Sequence, residues 1–581
     1  MTTDPAKLTP RPPAPQAPVP TFAPLQVPEY RRIWAAALVS HLGTFLQLTA
    51  GPWVMQEMTD SPLLVALVTT SLTLPRLLLT LPAGALADVV DRRTLMLIGQ
   101  FTSAISVAVM AVLTATGTLT PYWLLGLSFV LGVGNAIGLP AFQTLIPDLV
   151  PRRMMAQAIT LNSGAFNVAR AIGPAIGGVI VGAGLASTAF GANAASYLAI
   201  VGVLLTFPKA KVEDTRRQTL WRSTAMGVRY ARFTRPIRVL LGVTALFALT
   251  TASIQSLLPV VSRELGLGGT GFGVLYGLFG VGALVGVLTR ERARVRFGRR
   301  MLPGAVLVFG LSGVVFGFAP HPVVAAAALA VNGLCWVFTL VTMNATVQLL
   351  APRWVRSRVV SLYVLAIGLQ PVGAFAAGAL AEGVGAGTAV AVFNLGTVAL
   401  GAAAFRLGLP VLGEFDEPSA PDDWHVPRHA QHVAGSPVLV ANTWEIDRDD
   451  AEAFFDVMRE LRRQRFRTGA HRWSLYRDAD RPTRITEFFV VHDWEEHLAQ
   501  HARMDLEVAD TLARARAFDR GDGPVTRHLA GLDVLDPSAP TVDEQLLTIH
   551  AEAHRSDGSL PLDEEGTTPA ATEAQRSARD G

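Results

Sequence analysis

The sequence predicts an all-α polytopic membrane protein with twelve transmembrane helices in two pseudo-symmetric six-helix bundles, followed by a small C-terminal α+β domain of ferredoxin-like type. Three observations support this prediction. Half of the 581 residues are hydrophobic and only 16% are charged, whereas soluble domains have about 25% charged residues. The charges cluster in short segments that separate long apolar runs. The runs also form two groups that resemble each other.

About twelve apolar runs approach the roughly 20 residues that a helix needs to cross a hydrocarbon core of about 30 Å. A soluble protein with a buried helical core does not explain so many consecutive runs. The predicted spans are 33–54, 63–86, 95–116, 121–144, 156–181, 184–206, 237–261, 271–289, 302–319, 323–350, 357–381 and 386–409.

Arginine is concentrated in alternate loops. One side of the membrane receives Arg31 and the basic loops 209–238 and 290–300, whereas the other side receives mainly acidic residues such as Glu57 and Glu382. Because cytoplasmic loops are enriched in Lys and Arg, we expect both termini in the cytoplasm and a multi-pass protein of the inner (cytoplasmic) membrane.

The two groups of six spans resemble each other in several places. "VMQEMTDSPLLVAL" after span 1 is similar to "VSRELGLGGTGFGVL" after span 7, and "LIPDLVPRRMMAQ" after span 4 is similar to "VQLLAPRWVRSR" after span 10. The span that follows the second pair contains a proline in each half, Pro174 and Pro371. Duplicated halves are typical of secondary transporters, which place the substrate site between them near the midplane.

The composition changes after residue 410, where β-branched and aromatic segments alternate with one amphipathic helix. We expect a βαββαβ order, with strands 437–446, 470–477, 484–492 and 524–530 and helices 449–466 and 493–516. The predicted organisation is a disordered cytoplasmic N-terminus (1–30), the first bundle (31–207), a cytoplasmic linker (208–236), the second bundle (237–410), a linker (411–435), the cytoplasmic ferredoxin-like domain (436–531) and a disordered tail (532–581).

The segment "GALADVVDRR" between spans 2 and 3 resembles the G-x-L-x-D-R-x-G-R-[KR] signature of the major facilitator superfamily. Gly84, Asp88, Arg92 and Arg93 match it, whereas Asp91 replaces the usual glycine. This variant, together with "NVARAIGPAIGG", "EMTDSPL" and "DWEEHLAQHARM", is similar to the subfamily of the enterobactin exporter and macrolide efflux proteins that have a soluble C-terminal extension. The resemblance implies an exporter that works by alternating access.

Gly84 and Asp88 lie one helical turn apart and therefore share a face of span 2. The resemblance implies that Asp88 docks near the start of span 11, around 356–358, when the cytoplasmic side is closed. A gating motif of Gly84, Asp88, Asp91, Arg92 and Arg93 follows. A solvated turn with positive-inside arginines is the alternative, and it is sufficient for Arg92 and Arg93 alone.

Arg170 lies in the middle of span 5, where an ionised group is costly unless it faces a cavity or a partner. Asn167 lies on a similar face, and Arg76 in span 2 raises the same question. His41 and Gln47 in span 1 complete the predicted substrate cavity. One hypothesis is an electropositive cavity for an anionic or polyhydroxylated substrate; the alternative is structural hydrogen bonding between helices.

The stretch "GPAIGG" in span 5 contains Gly173, Pro174, Gly177 and Gly178. The resemblance associates such a motif with antiport. Close helix packing through glycine explains the same residues without any role in coupling, so both interpretations stay open.

The chain has no G-x-x-x-x-G-K-[ST] loop, so ATP hydrolysis is not expected. The resemblance implies proton antiport, with Asp88, Asp148 and His41 as candidate proton carriers. His497 and His501 are spaced i, i+4 but do not form the H-E-x-x-H pattern of a zinc hydrolase. We therefore expect no metal site, no cofactor and no catalytic residue.

The predicted function is export of a small molecule (a siderophore, antibiotic or other natural product or drug) across the cytoplasmic membrane. The partners are the lipid bilayer, the substrate and protons as the coupling ion, with no nucleic acid. The alternative is a membrane-tethered monooxygenase-like enzyme whose C-terminal domain modifies the substrate. The strand "RITEFFVVHDW" suggests self-association through this domain.

Overall fold

The computed structural model describes residues 20–89, 91–207, 220–352, 354–408, 437–521 and 523–530. The predicted lead-in before residue 20, the linker 411–435 and the tail 532–581 lie outside the described residues. The chain forms two compact units, one within residues 1–415 and the other from residue 416 onward together with residues 232–234.

The first unit is helical throughout its described part. Its helices are α1 (Pro28–Met58), α2 (Pro62–Val89), α3 (Arg92–Ala115), α4 (Pro121–Asp148), α5 (Met155–Gly182), α6 (Ala186–Leu205), α7 (Leu220–Phe233), α8 (Arg235–Glu264), α9 (Gly269–Phe297), α10 (Met301–Gly317), α11 (Pro322–Leu350), α12 (Arg356–Ile367), α13 (Gln370–Val384) and α14 (Ala386–Arg406).

Eleven segments of the described chain are long and apolar enough to cross a membrane. The longest, Gly269–Gly317, has 49 residues and contains both α9 and α10. Another, Arg356–Val384, contains α12 and α13. The chain is therefore a mostly helical, polytopic membrane protein.

Two predicted features of this unit are corrected by the structure. The predicted span 357–381 is not one helix, because α12 ends at Ile367 and α13 starts again at Gln370. Pro371 lies in the first turn of α13, where its missing N–H group costs no hydrogen bond. The predicted linker 208–236 also contains the 14-residue helix α7, so it is not a plain loop.

The helix ends fall into two sets. The arginine-poor end contains the loops 59–61, 116–120, 183–185, 265–268 and 318–321 together with Gly385, and these loops contain no arginine. The opposite, arginine-rich end contains the start of α1 and the connections α2–α3, α4–α5, α6–α8, α9–α10 and α11–α12.

Helix α5 is the main element of the first six helices that packs on α9 of the second group. The residues 164, 171 and 178 follow each other at seven-residue intervals on one face of α5. A Cβ atom at Gly178 would meet the Cα of Gly273 and lie 2.9 Å from the Gly269 carbonyl oxygen. A Cβ atom at Gly164 would meet nothing within 4 Å. The two helices are therefore in backbone contact near the arginine-poor end and diverge toward the other end.

The C-terminal unit contains a four-stranded antiparallel sheet in the order β2-β3-β1-β4. Its elements are β1 (Val438–Glu445), α15 (Ala451–Thr468), β2 (Arg472–Arg477), β3 (Arg484–Val491), α16 (Trp494–Ala502), α17 (Leu506–Arg516) and β4 (Val525–Ala530).

The predicted single helix over 493–516 is wrong, because two helices occupy this range. The Asp505 carboxylate accepts a hydrogen bond from the Val508 N–H at 3.0 Å and starts α17 as its N-cap. Met504, immediately before this cap, is buried in the core of the unit with Phe454 and Leu461 of α15.

We expect Gly178→Ala to destabilise the protein by about 1–3 kcal/mol, because the added methyl group overpacks a backbone contact. Gly164→Ala is the matched control, since it lies on the same face of α5 with open space around it. Thermal unfolding of the purified proteins in detergent checks the difference. Equal unfolding temperatures for the two variants would contradict the close contact.

Candidate functional site

The predicted gating motif lies at the junction of α2 and α3. Gly84 and Asp88 belong to the last turns of α2, and Arg92 is the first residue of α3. The side chains of Gly84, Asp88 and Arg92 lie outside the described residues. Their role in gating stays a prediction.

The described members of the motif, Asp91 and Arg93, both contact helix ends. The Asp91 carboxylate accepts hydrogen bonds from the Thr94 N–H and hydroxyl, each at 3.0 Å, and is the N-cap of α3. The Arg93 guanidinium donates to the carbonyl oxygens of Leu204 and Leu205 at 2.8 and 3.2 Å. A cation at the C-terminal end of α6 is favourable because the last carbonyl groups carry partial negative charge. These contacts stabilise the helix ends of the first six-helix group.

Arg170 lies half-buried in the middle of α5, where this helix meets α9 and α11. The central guanidinium carbon is 5.2 Å from the ring centroid of Phe279 and 5.8 Å from that of Trp336. Helix α9 approaches closely because Gly280 has no side chain: a Cβ atom there would lie 2.6 Å from the Arg170 carbonyl oxygen. The cation–π contacts of the Arg170 guanidinium with these two rings contribute about 0.5–2 kcal/mol when they are partly desolvated.

The charge of Arg170 is not neutralised by a carboxylate within the described part of the chain. Its electrostatic neighbour is Tyr276, one turn before Phe279 on α9. A guanidinium in a low-dielectric site strongly attracts an anion. The arrangement therefore combines a positive charge with flat aromatic surfaces.

The other predicted cavity residues have contacts of their own. The Gln47 amide nitrogen lies 3.3 Å from the Met110 sulfur on α3, and the Asn167 amide donates to the Ser163 carbonyl oxygen at 2.8 Å. The His41 ring packs edge-on against Phe166, with ring centroids 5.3 Å apart. Arg76 is exposed on α2. None of these contacts brings the four residues to the Arg170 guanidinium.

The aromatic neighbours of Arg170 were missed by sequence reasoning. Tyr276 and Phe279 are three residues apart on α9, and Gly277 and Gly280 lie next to them. An aromatic and glycine pattern at helical spacing could have indicated a close helix crossing. Nothing in the local sequence identifies Trp336 of α11 as the third neighbour.

The residues of "GPAIGG" pack α5 on two different helices. A Cβ atom at Gly173 would lie 2.6 Å from the Phe45 Cβ, and one at Gly177 would lie 3.0 Å from the Thr49 Cβ, both on α1. Gly178 contacts α9, and the Pro174 carbonyl oxygen lies 2.7 Å from the position of a Cβ atom at Gly273. Close packing is thus the observed contact of these residues, and a role in antiport stays a prediction.

The C-terminal unit contains a buried ion pair between α15 and β3. The Arg465 Nε donates to the Glu487 Oε1 at 3.0 Å, and the Glu487 side chain is fully buried. Asn442 and Trp473 donate to the same carboxylate at 2.7 and 2.9 Å. A buried carboxylate is tolerated when it is paired and hydrogen-bonded in this way.

Three histidines cluster beside this ion pair. The Nε2 atoms of His497 and His501 are 3.2 Å apart, and the His528 ring centroid is 4.7 Å from that of His497. Burial, followed by the neighbouring His501 and His528 rings and the Arg465 guanidinium, lowers the pKa of His497 from 6.5 to about 3. Burial and the charge of Arg465 lower the pKa of His501 to about 4. Both rings are therefore neutral at pH 7.

No group of three or more His, Cys, Asp or Glu side chains within the described ranges could hold a metal ion. The prediction that the chain has no metal site remains a prediction for the complete chain. The neutral His497–His501 pair is thus best described as a hydrogen-bonded part of the core.

The family described as transmembrane secretion effector matches residues 19–532 of the chain. This range includes the helical unit and the whole described part of the C-terminal unit.

Three relatives illustrate the similarity. The chain is 27% identical over 398 residues to the multidrug efflux pump Tap of Mycolicibacterium fortuitum, an alignment that covers 66% of this chain and 97% of that protein. It is 25% identical to the staphyloferrin A transporter of Staphylococcus aureus, with coverage of 63% and 93%. It is 26% identical to the enterobactin exporter EntS of Salmonella paratyphi A, with coverage of 50% and 70%.

Solved transporter structures share the fold of the helical unit. The nucleoside transporter NupG has a TM-score of 0.53 at 13% identity and covers 65% of this chain and 98% of its own. The POT family transporter PepTSo has a TM-score of 0.54 at 11% identity, with coverage of 66% and 97%. The D-xylose–proton symporter has a TM-score of 0.52 at 14% identity, with coverage of 65% and 98%.

We expect the C-terminal unit to lose stability as the pH falls from about 6.5 toward 4. The unfolded chain takes up protons on His497 and His501 near the ordinary pKa of 6.5, whereas the folded unit resists protonation until about pH 4 and below. Each histidine thus contributes stability that is complete above about pH 6.5 and is lost below it, by at most about 1.4 kcal/mol per pH unit.

Hydrogen–deuterium exchange of the full-length protein, corrected for intrinsic exchange, checks this expectation. Peptides from α16 and β4 should exchange faster at pH 5 than at pH 7, whereas peptides from α10 should not change. The double variant His497→Gln/His501→Gln should lose most of this pH dependence. If the double variant keeps the same pH dependence of exchange, that dependence arises from titratable groups other than His497 and His501.

Proposed function

Because the chain belongs to the transmembrane secretion effector family of the major facilitator superfamily, we propose that it exports a small molecule from the cytoplasm by alternating access. The family and the relatives are transporters, so the chain is a membrane transporter and not an enzyme. The family therefore does not support the alternative of a membrane-tethered monooxygenase.

The observation that most favours a substrate site is the position of Arg170 between the two groups of helices. Its guanidinium lies against Phe279 and Trp336 and has no carboxylate partner within the described residues. This chemistry suits an anionic or polyhydroxylated substrate with a flat apolar part. Two of the relatives are named for siderophores, staphyloferrin A and enterobactin, and natural products of this kind are our proposed substrate class.

The proposed architecture has twelve spans in two six-helix bundles. The first bundle is α1–α6, and the second is α8, α9, α10, α11, the broken pair α12–α13, and α14. The 49-residue segment that contains α9 and α10 counts as two spans in this assignment. The positive-inside rule supports a cytoplasmic position for the arginine-rich end and both termini. The arginine-poor end is then external.

The proposed energy source is proton antiport. The absence of a phosphate-binding loop in the sequence supports a secondary transporter. Asp88, Asp148 and His41 are the candidate proton carriers. His41 is the only one of the three whose side chain is described, and its Nε2 atom is buried without a hydrogen-bond partner among the described residues.

We propose that the C-terminal unit is a ferredoxin-like domain that self-associates. The sheet order β2-β3-β1-β4 and the antiparallel pairing support this fold. The open sheet face presents Tyr476, Val525 and Leu529, whose side chains are exposed. Apolar surface of this kind supports a second copy of the chain as the partner.

We expect Arg170→Leu to reduce transport at least about tenfold, because charge-assisted hydrogen bonds contribute about 1.5–3 kcal/mol. The transport rate is measured as uptake of enterobactin and of staphyloferrin A into inverted vesicles under a pH gradient. Arg406→Leu, at the exposed end of α14, is the matched control for the loss of one arginine. Arg170→Lys should retain part of the activity. Full activity of Arg170→Leu with both siderophores would remove Arg170 from the site.

We expect Asp88→Asn to reduce the transport rate without changing folding, because a neutral side chain weakens a state-dependent contact at a helix N-terminus by up to about 1 kcal/mol. The same vesicle assay measures the rate. Asp91→Asn is the control for the loss of one carboxylate in the same segment, because asparagine also caps a helix N-terminus and should leave stability and uptake nearly unchanged. Unaltered uptake by Asp88→Asn would defeat its assignment as a gate.

A further inference from the structure

An aromatic stack joins the two groups of helices at the arginine-poor end. The indole ring of Trp53 on α1 stacks on the Phe272 ring of α9, with centroids 5.5 Å apart and an interplanar angle of 17°. Both side chains are buried, with 6% and 1% of their surface exposed. Offset aromatic stacking of this kind adds to the stabilisation from burial.

The stack lies directly next to the glycine contact between α5 and α9. A Cβ atom at Gly269 would lie 3.2 Å from the Trp53 Nε1 atom and 2.9 Å from the Gly182 nitrogen. The Trp53 N–H group is also held from its own helix, because it donates to the Glu57 Oε1 atom at 2.7 Å. The indole ring is therefore held by a hydrogen bond within α1 and lies against the Gly269 backbone of α9.

A polar layer covers the aromatic stack on the side of the loops. The Arg263 Nη1 atom of α8 donates to the Asp60 Oδ1 atom at 2.9 Å and to the Gln56 carbonyl oxygen at 3.1 Å. Glu382 of α13 accepts hydrogen bonds from the Ser61 hydroxyl and, at 3.1 Å, from the Leu63 N–H group at the start of α2.

These polar contacts cross between the two groups of helices but are exposed to solvent. The Asp60 side chain is 92% exposed and that of Arg263 is 53% exposed. Exposed ion pairs contribute little to stability. The buried stack of Trp53 on Phe272 is therefore expected to contribute more to holding the two groups of helices together than these exposed pairs.

The opposite end of the same helix pair is not closed. Gly164 of α5 has open space where Gly178 is in backbone contact. On α9, the side chains of Leu284 and Val287 are at least 37% exposed. Within the described residues, α5 and α9 are thus in backbone contact from the arginine-poor end to Arg170 and have open space beyond it at Gly164.

We propose that Trp53 and Phe272 form the external seal of the transport path. While substrate enters from the cytoplasm, the stacked rings block access from outside, and the two rings must separate before substrate leaves. Glu57 is a positioning residue of this seal, since it acts through Trp53. The proposal rests on the proposed alternating access and on an external position for the arginine-poor end.

The test measures access through the seal without requiring transport. Thr49 is fully buried one helical turn below Trp53 and contacts Gly177, so Thr49→Cys in a Cys335→Ala background gives a single reporter thiol. A membrane-impermeant maleimide is applied to intact cells. We expect Trp53→Ala to increase the labelling rate about tenfold, because it removes the indole one helical turn above the reporter, on the side of the arginine-poor end.

The control is Trp123→Ala, which removes an exposed tryptophan at the same end of α4. Its labelling rate should equal that of the reporter alone. Equal rates for Trp53→Ala and Trp123→Ala would overturn the seal. Increased labelling together with no transport of either siderophore would support the seal and contradict the proposed substrates instead.

A milder variant guards against loss of folding. Phe272→Leu nearly conserves volume but removes the ring that stacks on Trp53, and we expect it to increase labelling about threefold. Glu57→Gln keeps an acceptor oxygen for the Trp53 N–H group and should label like the reporter alone, whereas Glu57→Ala should label faster. If neither Phe272→Leu nor Glu57→Ala labels faster than the reporter alone, the assignment of the seal is refuted.

Discussion

The backbone contact between α5 and α9 at Gly178 and Gly273 is the constraint on which the helical unit depends. In lipid there is no hydrophobic drive for helices to associate, so close packing of small residues supplies the attraction. No side chain larger than hydrogen fits at this crossing. The contact places Trp53 against Phe272 on one side and Arg170 beside Phe279 on the other. Both the seal and the proposed substrate site thus depend on one helix pair.

This arrangement suggests how the site and the seal are coupled. Arg170 and Gly178 are eight residues apart on α5, a rise of about 12 Å. Phe279 and Phe272 are separated by a similar distance on α9. The two helices are in backbone contact at both positions, at Gly178 with Gly273 and at Arg170 with Gly280, so a change in the angle between them alters both contacts together. Substrate bound between Arg170 and α9 would therefore bias the same two-state element as the stacked rings.

Local patterns in the sequence were sufficient for the approximate position of most membrane helices, because apolar length is a local signal. They also identified Arg170, since a charge within an apolar run is conspicuous. They were not sufficient for its neighbours: Phe279 and Trp336 are more than a hundred residues away, and only tertiary packing brings them together. The break at 368–369 and the division of helix 493–516 at Asp505 were missed, because a proline and a capping aspartate each allow more than one local structure.

The two units achieve a specific structure by different means, each suited to its solvent. In the helical unit, glycine contacts and aromatic stacking determine which helices touch, and polar contacts between the groups are exposed at the ends. In the C-terminal unit, Arg465 and Glu487 are buried with Asn442 and Trp473 as partners. Burying that ion pair costs desolvation, so a misfolded alternative that leaves either charge unpaired is strongly disfavoured. The adjacent histidines must also stay neutral in the folded unit, because protonating His497 would add a second positive charge beside Arg465.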